Sequence, residues 1–167
     1  MTKRVIVVSD SHGDEEGLRA AFEQAEKHGK IDVAVFLGDG AREFESVAFS
    51  LESQGTVCHA VRGNNDWSSS EPNEALFTVN GVRIFACHGH TRQVKYGLDR
   101  LLYAACEREA RVALYGHTHR ERADFEYSID LINPGAVCER SVNRSAYAEL
   151  LVEDSGYVRT QLVKWEP

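Results

Sequence analysis

The stretch Leu114-Tyr115-Gly116-His117-Thr118-His119 is a short apolar run that breaks at Gly116 into two histidines two residues apart. Alternate residues of a strand point to opposite faces, but at a strand end followed by a tight turn both imidazoles can converge on one point. Neutral imidazole is the commonest metal ligand among protein side chains. Taken alone, the stretch fits two surface histidines in a loop equally well, so the rest of the chain must decide.

Four other hydrophobic runs end in polar side chains of the same ligand type. Val5–Val8 leads to Asp10 and His12, and each of the later runs leads to further carboxylate, amide or imidazole groups. These groups are Asp39 after the run 31–37, Asn64 and Asp66 after 56–61, and His88 and His90 after 82–87. Each cluster alone could be a capping or turn motif. Their joint occurrence at successive strand ends predicts one shared site.

The first part of the chain alternates buried strands with amphipathic helices. Helices are predicted over 17–28 and 43–53, with Asp14 as the N-cap of the first. Repeated strand–helix units predict a parallel sheet with right-handed crossovers, whose ligands bind beyond the carboxyl ends of the strands. After Asp66 the pattern changes to a hairpin around Asn80-Gly81, a helix over 98–109 and four short strands read as antiparallel.

Composition restricts the function classes. The chain has 167 residues, which predicts one domain over 1–167, and its net charge of −7 argues against strong nucleic-acid or anionic-membrane binding. No apolar run approaches the ~20 residues needed to span a bilayer, and no signal peptide is recognisable. The four widely spaced cysteines predict free thiols in a reducing compartment, and therefore a cytoplasmic location.

The predicted ligands are two carboxylates, four imidazoles and one amide: Asp10, His12, Asp39, Asn64, His88, His117 and His119. That set is too large for one tetrahedral zinc ion, and it suits two divalent ions sharing a bridging carboxylate. Mixed nitrogen and oxygen donors without thiolate favour Mn²⁺, with Ni²⁺, Zn²⁺, Fe and Mg²⁺ as alternatives, over Ca²⁺. Two such ions leave the site positive and able to bind an anionic substrate.

The ordered motifs around Asp10, Asp39, Asn64, His88 and His117 resemble those of the calcineurin-like metallophosphoesterases, and the short chain with its closing Asn133-Pro134-Gly135 resembles their small bacterial and archaeal phosphodiesterase branch. The resemblance implies a four-layer αββα sandwich, in which two mixed β-sheets are flanked by helices.

The resemblance also divides the ligands. Asp10, His12 and His119 would bind the first metal, Asn64, His88 and His117 the second, and Asp39 would bridge them. The implied activity is hydrolysis of a small phosphoester by a hydroxide held between the two ions, most simply a phosphodiester. A homo-oligomer, dimer or tetramer, is compatible with the resemblance.

The sequence departs from many members of this family at Asn65, where they carry a histidine thought to protonate the leaving group. An amide cannot act as a general acid. The departure predicts a preference for good leaving groups, or proton delivery by water or His90. The predicted catalytic residues are therefore Asp39, Asn64 and His90, with Asp66 in a supporting contact, while Arg62 and Arg92 are candidate phosphate contacts.

Two alternatives remain at this stage. A phosphomonoesterase of the same fold would use the same ligands, and a non-catalytic protein-interaction scaffold would keep the fold after losing part of the metal site. The complete ligand set in this sequence favours an enzyme.

Overall fold

The computed structural model describes residues 1–138 and 146–165, and within these ranges the chain forms ten strands, three α-helices and one 3₁₀ helix. The strands are Lys3–Val8 (β1), Val33–Phe36 (β2), Val57–Ala60 (β3), Glu74–Val79 (β4), Val82–Cys87 (β5), Val112–Leu114 (β6), Glu121–Asp124 (β7), Asp130–Pro134 (β8), Ala146–Val152 (β9) and Val158–Lys164 (β10). The helices are Glu15–Glu26 (α1), Ala41–Ser53 (α2), Asp99–Glu107 (α3) and the 3₁₀ turn His90–Arg92.

Sheet one has the strand order β10-β9-β1-β2-β3. The two strand–helix units at the start of the chain make β1, β2 and β3 parallel, with Val5 opposite Val33 and Val33 opposite Val57. Strands β9 and β10 extend the sheet in the antiparallel sense from β1. The sheet is therefore mixed.

Sheet two has the order β4-β5-β6-β8-β7. The Asn80-Gly81 turn joins the antiparallel pair β4 and β5, and both turn residues have positive φ, as a tight hairpin requires. Strands β5, β6 and β8 are parallel, whereas β7 is antiparallel to β8. The expectation that the late strands are all antiparallel is thus wrong for β8, which is parallel to its other neighbour, β6.

Three apolar layers hold the sheets and helices together. Alternate residues of the two sheets face each other in the central layer, including Val7, Val35, Ile84, Leu114 and Ile132. The other face of sheet one packs on α1 and α2, and the other face of sheet two packs on α3. This arrangement confirms the predicted αββα sandwich.

Helix α1 begins where the capping residue dictates. Asp14 is the N-cap, and its Oδ1 accepts a hydrogen bond from the backbone N–H of Gly17 at 2.8 Å. The helix therefore begins at Glu15 and ends at Glu26, two residues earlier at each end than the predicted helix. The cap places the preceding loop, with Asp10 and His12, at the carboxyl end of β1.

Cys58, Cys87 and Cys106 are free thiols, as predicted: Cys87 is buried, Cys58 is half-buried, and Cys106 is exposed on α3. Cys138 is buried. Among the described residues, every helix is too short or too polar to cross a bilayer.

Candidate metal centre

The loops after four strands meet at one edge of the sandwich. The backbone N–H of Asp10 donates to the carbonyl of Gly38 at 3.0 Å, and that of His12 donates to the carbonyl of Asp39 at 2.9 Å. In sheet two, the N–H of Gly116 donates to the carbonyl of His88 at 2.9 Å. These bonds fix the loops to one another, so the side chains they carry have defined positions.

The backbone at this edge is unusual. Among the described residues, eight that are not glycine have positive φ, and five of them are predicted ligands: Asp10, His12, Asp39, His117 and His119. Positive φ is uncommon for residues with a Cβ, and such backbone conformations collect at functional sites. Here the conformation turns the side chains inward from the strand ends.

Asp10, His12 and His119 form one group of three donors, called here the open cluster. Oδ1 of Asp10 lies 3.1 Å from Nε2 of His119 and 3.4 Å from Nε2 of His12. The two Nε2 atoms are 3.0 Å apart. The Asp10 carboxylate is fully buried, whereas the side chains of His12 and His119 are 25 % and 35 % exposed.

Asp39, His88 and His117 form a second group, called here the enclosed cluster. Nε2 of His88 lies 3.3 Å from Oδ2 of Asp39 and 3.1 Å from Nδ1 of His117. The other ring nitrogen of His88, Nδ1, is 2.7 Å from the carbonyl of Leu37, to which it can only donate. This bond assigns the proton to Nδ1 and leaves the Nε2 lone pair facing the cluster.

Asp39 lies between the two clusters. Its Oδ2 is 3.3 Å from Nε2 of His88 and 3.5 Å from Nε2 of His12, which belongs to the open cluster. One carboxylate thus contacts a donor of each group.

The donor atoms fit divalent metal ions. Oδ1 of Asp10 is buried without a hydrogen-bond partner, which is costly for a carboxylate unless a cation satisfies it. Ligands bound ~2.1 Å from one ion lie roughly 3 Å apart, which is the spacing of the histidine nitrogens within each cluster. Oxygen and imidazole donors without thiolate suit Mn, Fe, Ni or Zn.

The electrostatics of the clusters also favour cations. Burial raises the pKa of Asp10, but contacts with His119 and His12 outweigh burial and hold it well below its usual range. Burial likewise opposes ionisation of Asp39, yet the neighbouring His88 and the hydrogen bonds from Asn65 lower its pKa to about 2. Both carboxylates therefore stay charged at neutral pH.

The histidines respond in different directions. Contact with the Asp10 carboxylate raises the pKa of His12, and Asp39 and Asp10 raise the pKa of His88 against the effect of its burial. Burial and the neighbouring His88 lower the pKa of His117 to about 4. In each cluster the carboxylates thus stabilise the protonated form of one imidazole, that of His12 or His88. A metal ion bound in the cluster would replace that proton.

Asn65 makes a contact that the sequence did not predict. Its backbone N–H donates to Oδ1 of Asp39 at 2.8 Å, and its side-chain Nδ2 donates to Oδ2 at 2.9 Å. The residue that replaces a histidine general acid is thus a donor to the carboxylate between the clusters.

Asp66 organises the backbone below the centre. Its carboxylate accepts hydrogen bonds of 2.7–3.0 Å from the N–H groups of Asp39, Gly40, Ala41 and Gly63. It therefore caps α2, whose own N-cap residue, Gly40, has no side chain to do so. Asp66 therefore supports Asp39 by fixing its backbone.

Asn133 and Ser9 hold the remaining ligands. The buried Asn133 donates from Nδ2 to the carbonyl of Gly116 at 3.2 Å and to Oγ1 of Thr118 at 3.0 Å, which fixes the histidine loop on both sides of His117. Ser9 Oγ donates to Oδ2 of Asp10 at 2.5 Å. The sequence shows the motif Asn133-Pro134-Gly135, but it does not predict that Asn133 binds the histidine loop.

The other predicted residues lie beside the clusters. The ring of His90 is 5.4 Å from that of His88, and its Nδ1 is buried without a partner. Asn64 is exposed in the turn that carries Asn65, and no hydrogen bond joins its side chain to either cluster within 1–138 and 146–165. Arg92 donates from Nε to Glu74 at 2.8 Å, so its guanidinium is already paired.

Comparison with known proteins identifies the family. A sequence model described as the calcineurin-like phosphoesterase superfamily domain matches residues 4–155. The chain belongs to this superfamily, and together with the two donor clusters this makes it a metal-dependent phosphoesterase. The probable metallophosphoesterase YsnB of Bacillus subtilis is 32% identical over 157 residues, which cover 93% of this chain and 88% of the relative.

Solved structures agree with this assignment. A predicted phosphoesterase from Streptococcus pneumoniae superposes with a TM-score of 0.80 at 28% identity, covering 98% of this chain and 90% of the other. An archaeal phosphodiesterase shares the fold with a TM-score of 0.70 at 20% identity, covering 96% and 99%. Vacuolar protein sorting 29 of Cryptosporidium parvum shares it with a TM-score of 0.74 at 14% identity, covering 99% of both chains.

Proposed function

We propose that this metal-dependent phosphoesterase is a phosphodiesterase that uses two divalent ions, with Mn²⁺ as the preferred metal. In this proposal Asp10, His12 and His119 hold one ion. His88 and His117, with Asn64, hold the other, and Asp39 bridges the two. The free cysteines and acidic composition fit an enzyme of the cytoplasm.

The position of Asp39 is the observation that carries the proposal. Its Oδ2 is within 3.5 Å of a histidine nitrogen from each cluster. A carboxylate that serves one ion would not need donors of the second group at that distance. Asn65 binds both oxygens of Asp39 and so limits rotation of the carboxylate about its bond to Cβ.

When bound, paired divalent ions clamp a phosphate oxygen and lower the pKa of a bound water toward neutrality. The chain supplies the positions of the donors: Leu37 orients His88, Ser9 and the N–H of His117 orient Asp10, and Asn133 fixes the histidine loop. Attack on phosphorus then needs no nucleophilic side chain.

The preference for a good leaving group follows from the chain's acid groups near the centre. Asn65 cannot donate a proton to a leaving group, and burial together with His88 lowers the pKa of His90, so His90 is mostly neutral at pH 7. Proton delivery by water is sufficient only when the leaving group is a weak base. Aryl esters meet that requirement, because they expel a weakly basic phenolate. The fold shared with an archaeal phosphodiesterase supports the choice of a diester over a monoester.

The test compares bis-p-nitrophenyl phosphate with p-nitrophenyl phosphate, using chelator-stripped protein to which Mn²⁺, Ni²⁺, Zn²⁺ and Mg²⁺ are returned separately. We expect Mn²⁺ to restore activity and the diester to have the higher kcat/KM. A higher kcat/KM for the monoester would make the protein a phosphomonoesterase. No turnover of either ester by folded, metal-loaded protein would favour the protein-interaction scaffold.

A further inference from the structure

Two grooves of opposite charge are lined by residues of the loops that form the candidate metal centre. The groove beside His12, called here the acidic groove, has a volume of about 830 Å³ and contains Glu43, Glu45, Glu71 and one cation, Arg42. Trp67, whose side chain is 84% exposed, also lines it. A second anionic group on a substrate would be repelled on this side.

The groove beside Thr118, called here the basic groove, has a volume of about 520 Å³. Its charged lining residues are Lys95, Arg120, Glu121 and Arg122. Two of these charges are already used: Nε of Arg122 is 2.8 Å from Oδ2 of Asp124, and Glu121 pairs with Lys164.

Lys95 and Arg120 are the cations left over in the basic groove. Both are exposed, and neither has a carboxylate partner within the described parts of the chain. In a protein with a net charge of −7, two unpaired cations in one groove give it a local potential opposite to that of the whole molecule.

The backbone segments that carry Lys95 and Arg120 are held in place by packing and by a hydrogen bond. Val94 is buried against Gly89, and a Cβ added at Gly89 would lie 2.7 Å from a methyl carbon of Val94. Lys95 therefore follows a residue whose position is fixed by packing. The N–H of Arg120 donates to Oγ1 of Thr118 at 3.3 Å, and Asn133 donates to the same oxygen. The backbone that carries each cation is therefore positioned by contacts with the centre's own loops.

The basic groove adjoins the loop that carries the two histidines. Thr118 and Arg120, which line the groove, are the residues on either side of His119.

We propose that the basic groove is a subsite for a second anionic group, and that the enzyme prefers phosphodiesters in which the retained arm carries an additional phosphate. This inference rests on the proposed function. Lys95 and Arg120 bind the extra phosphate, while the acidic groove repels it and receives an uncharged leaving group against Trp67. The two grooves together would allow only one orientation of such a substrate.

The experiment uses two substrates that differ by one phosphate: thymidine 5′-(p-nitrophenyl phosphate) with and without a 3′-phosphate. In the Mn²⁺-loaded enzyme we expect kcat/KM to be about tenfold higher with the 3′-phosphate. This ratio should fall to about one in the double variant Lys95→Gln and Arg120→Gln. Arg83→Gln is the matched control, because Arg83 is a surface cation paired with Glu109 on the outer part of β5, and it should keep the wild-type ratio.

A ratio of one or less in the wild type would overturn the subsite, as would a high ratio that the double variant retains. If neither diester is hydrolysed, the proposed function fails instead, and the subsite is tested by binding alone. Thymidine 3′,5′-bisphosphate should then bind chelated wild-type protein more tightly than thymidine 5′-phosphate does. Equal affinities for the two nucleotides would refute the subsite as well.

Discussion

The open and enclosed clusters have the same chemistry but different surroundings. Each consists of one carboxylate and two imidazoles. In the open cluster the histidine side chains are 25 % and 35 % exposed, whereas in the enclosed cluster His88 is fully buried. The enclosed histidine is also fixed by the carbonyl of Leu37.

The difference separates two tasks. A buried donor with an assigned proton is preorganised, so an ion in the enclosed cluster should exchange slowly. The exposed histidines of the open cluster leave its ion within reach of solvent and substrate. The enclosed cluster thus has a rigidly positioned donor, whereas the open cluster is accessible to solvent. The following variants test this difference.

The largest effect is expected where the clusters meet. Asp39→Asn should lower kcat/KM for bis-p-nitrophenyl phosphate by about 1000-fold, because one substitution removes charge from both ion sites. Metal content, measured after gel filtration, should fall in parallel. The same change at the exposed Asp99, at the start of α3, should alter neither value. Full metal content and activity in Asp39→Asn would rule out a bridging role.

A second pair of variants separates the clusters. His88→Ala and His12→Ala should each reduce activity by roughly 100-fold, but His88→Ala should cause the larger loss in the free energy of unfolding in chelator, by about 1–3 kcal/mol. The reason is that it leaves the buried carbonyl of Leu37 without its donor. Urea denaturation with chelator measures this difference, and His28→Ala on the protein surface is the control. Equal losses of stability would remove the distinction between the clusters.

Asp66→Asn should have a smaller effect, of about tenfold on kcat/KM. An amide has only one acceptor oxygen. Some of the four backbone N–H groups that bind the Asp66 carboxylate would therefore lose their acceptor. The free energy of unfolding should fall by about 1–3 kcal/mol. An unchanged urea midpoint combined with a large loss of metal would instead indicate that Asp66 contacts an ion.

The smallest effect concerns pH in the chelated protein. His12 and His88 have raised pKa values in the folded state, so the stability they contribute is present below 6.5 and is lost as the pH rises through the raised values. His117 has a pKa of about 4, so its contribution is lost as the pH falls from 6.5 toward 4. Urea midpoints should therefore peak near pH 6.5 and decline on both sides. A continuous rise of the midpoint from pH 6.5 to 8 would contradict this assignment.

Much of the fold was predictable because its strands are short, continuous apolar runs. All residues of Val5–Val8 are buried, and the helix after them begins at the predicted capping residue Asp14. Strand pairing depends on contacts between residues far apart in the sequence. The parallel pairing of β6 with β8 could not be predicted, because the late strands are separated by turns that suggest antiparallel neighbours.

The candidate site divides in the same way. The order of Asp and His residues at strand ends predicted the donors that the structure brings together. The role of Asn65 could not be predicted, because its partner Asp39 lies 26 positions earlier and the contact depends on the turn at Gly63. Sequence alone therefore identified Asn65 by what it lacks, a proton to donate, and not by the hydrogen bonds it makes.

The cap at α2 has a consequence for how the enzyme is controlled. A helix N-terminus is a ready anion site, and α2 begins beside Asp39. Two N–H groups at this terminus, those of Gly40 and Ala41, are already bound by the Asp66 carboxylate, an internal mimic of the phosphate that such a terminus would otherwise attract. Binding of the scissile phosphate should therefore depend mainly on the metal ions, and the activity should follow the cellular supply of metal.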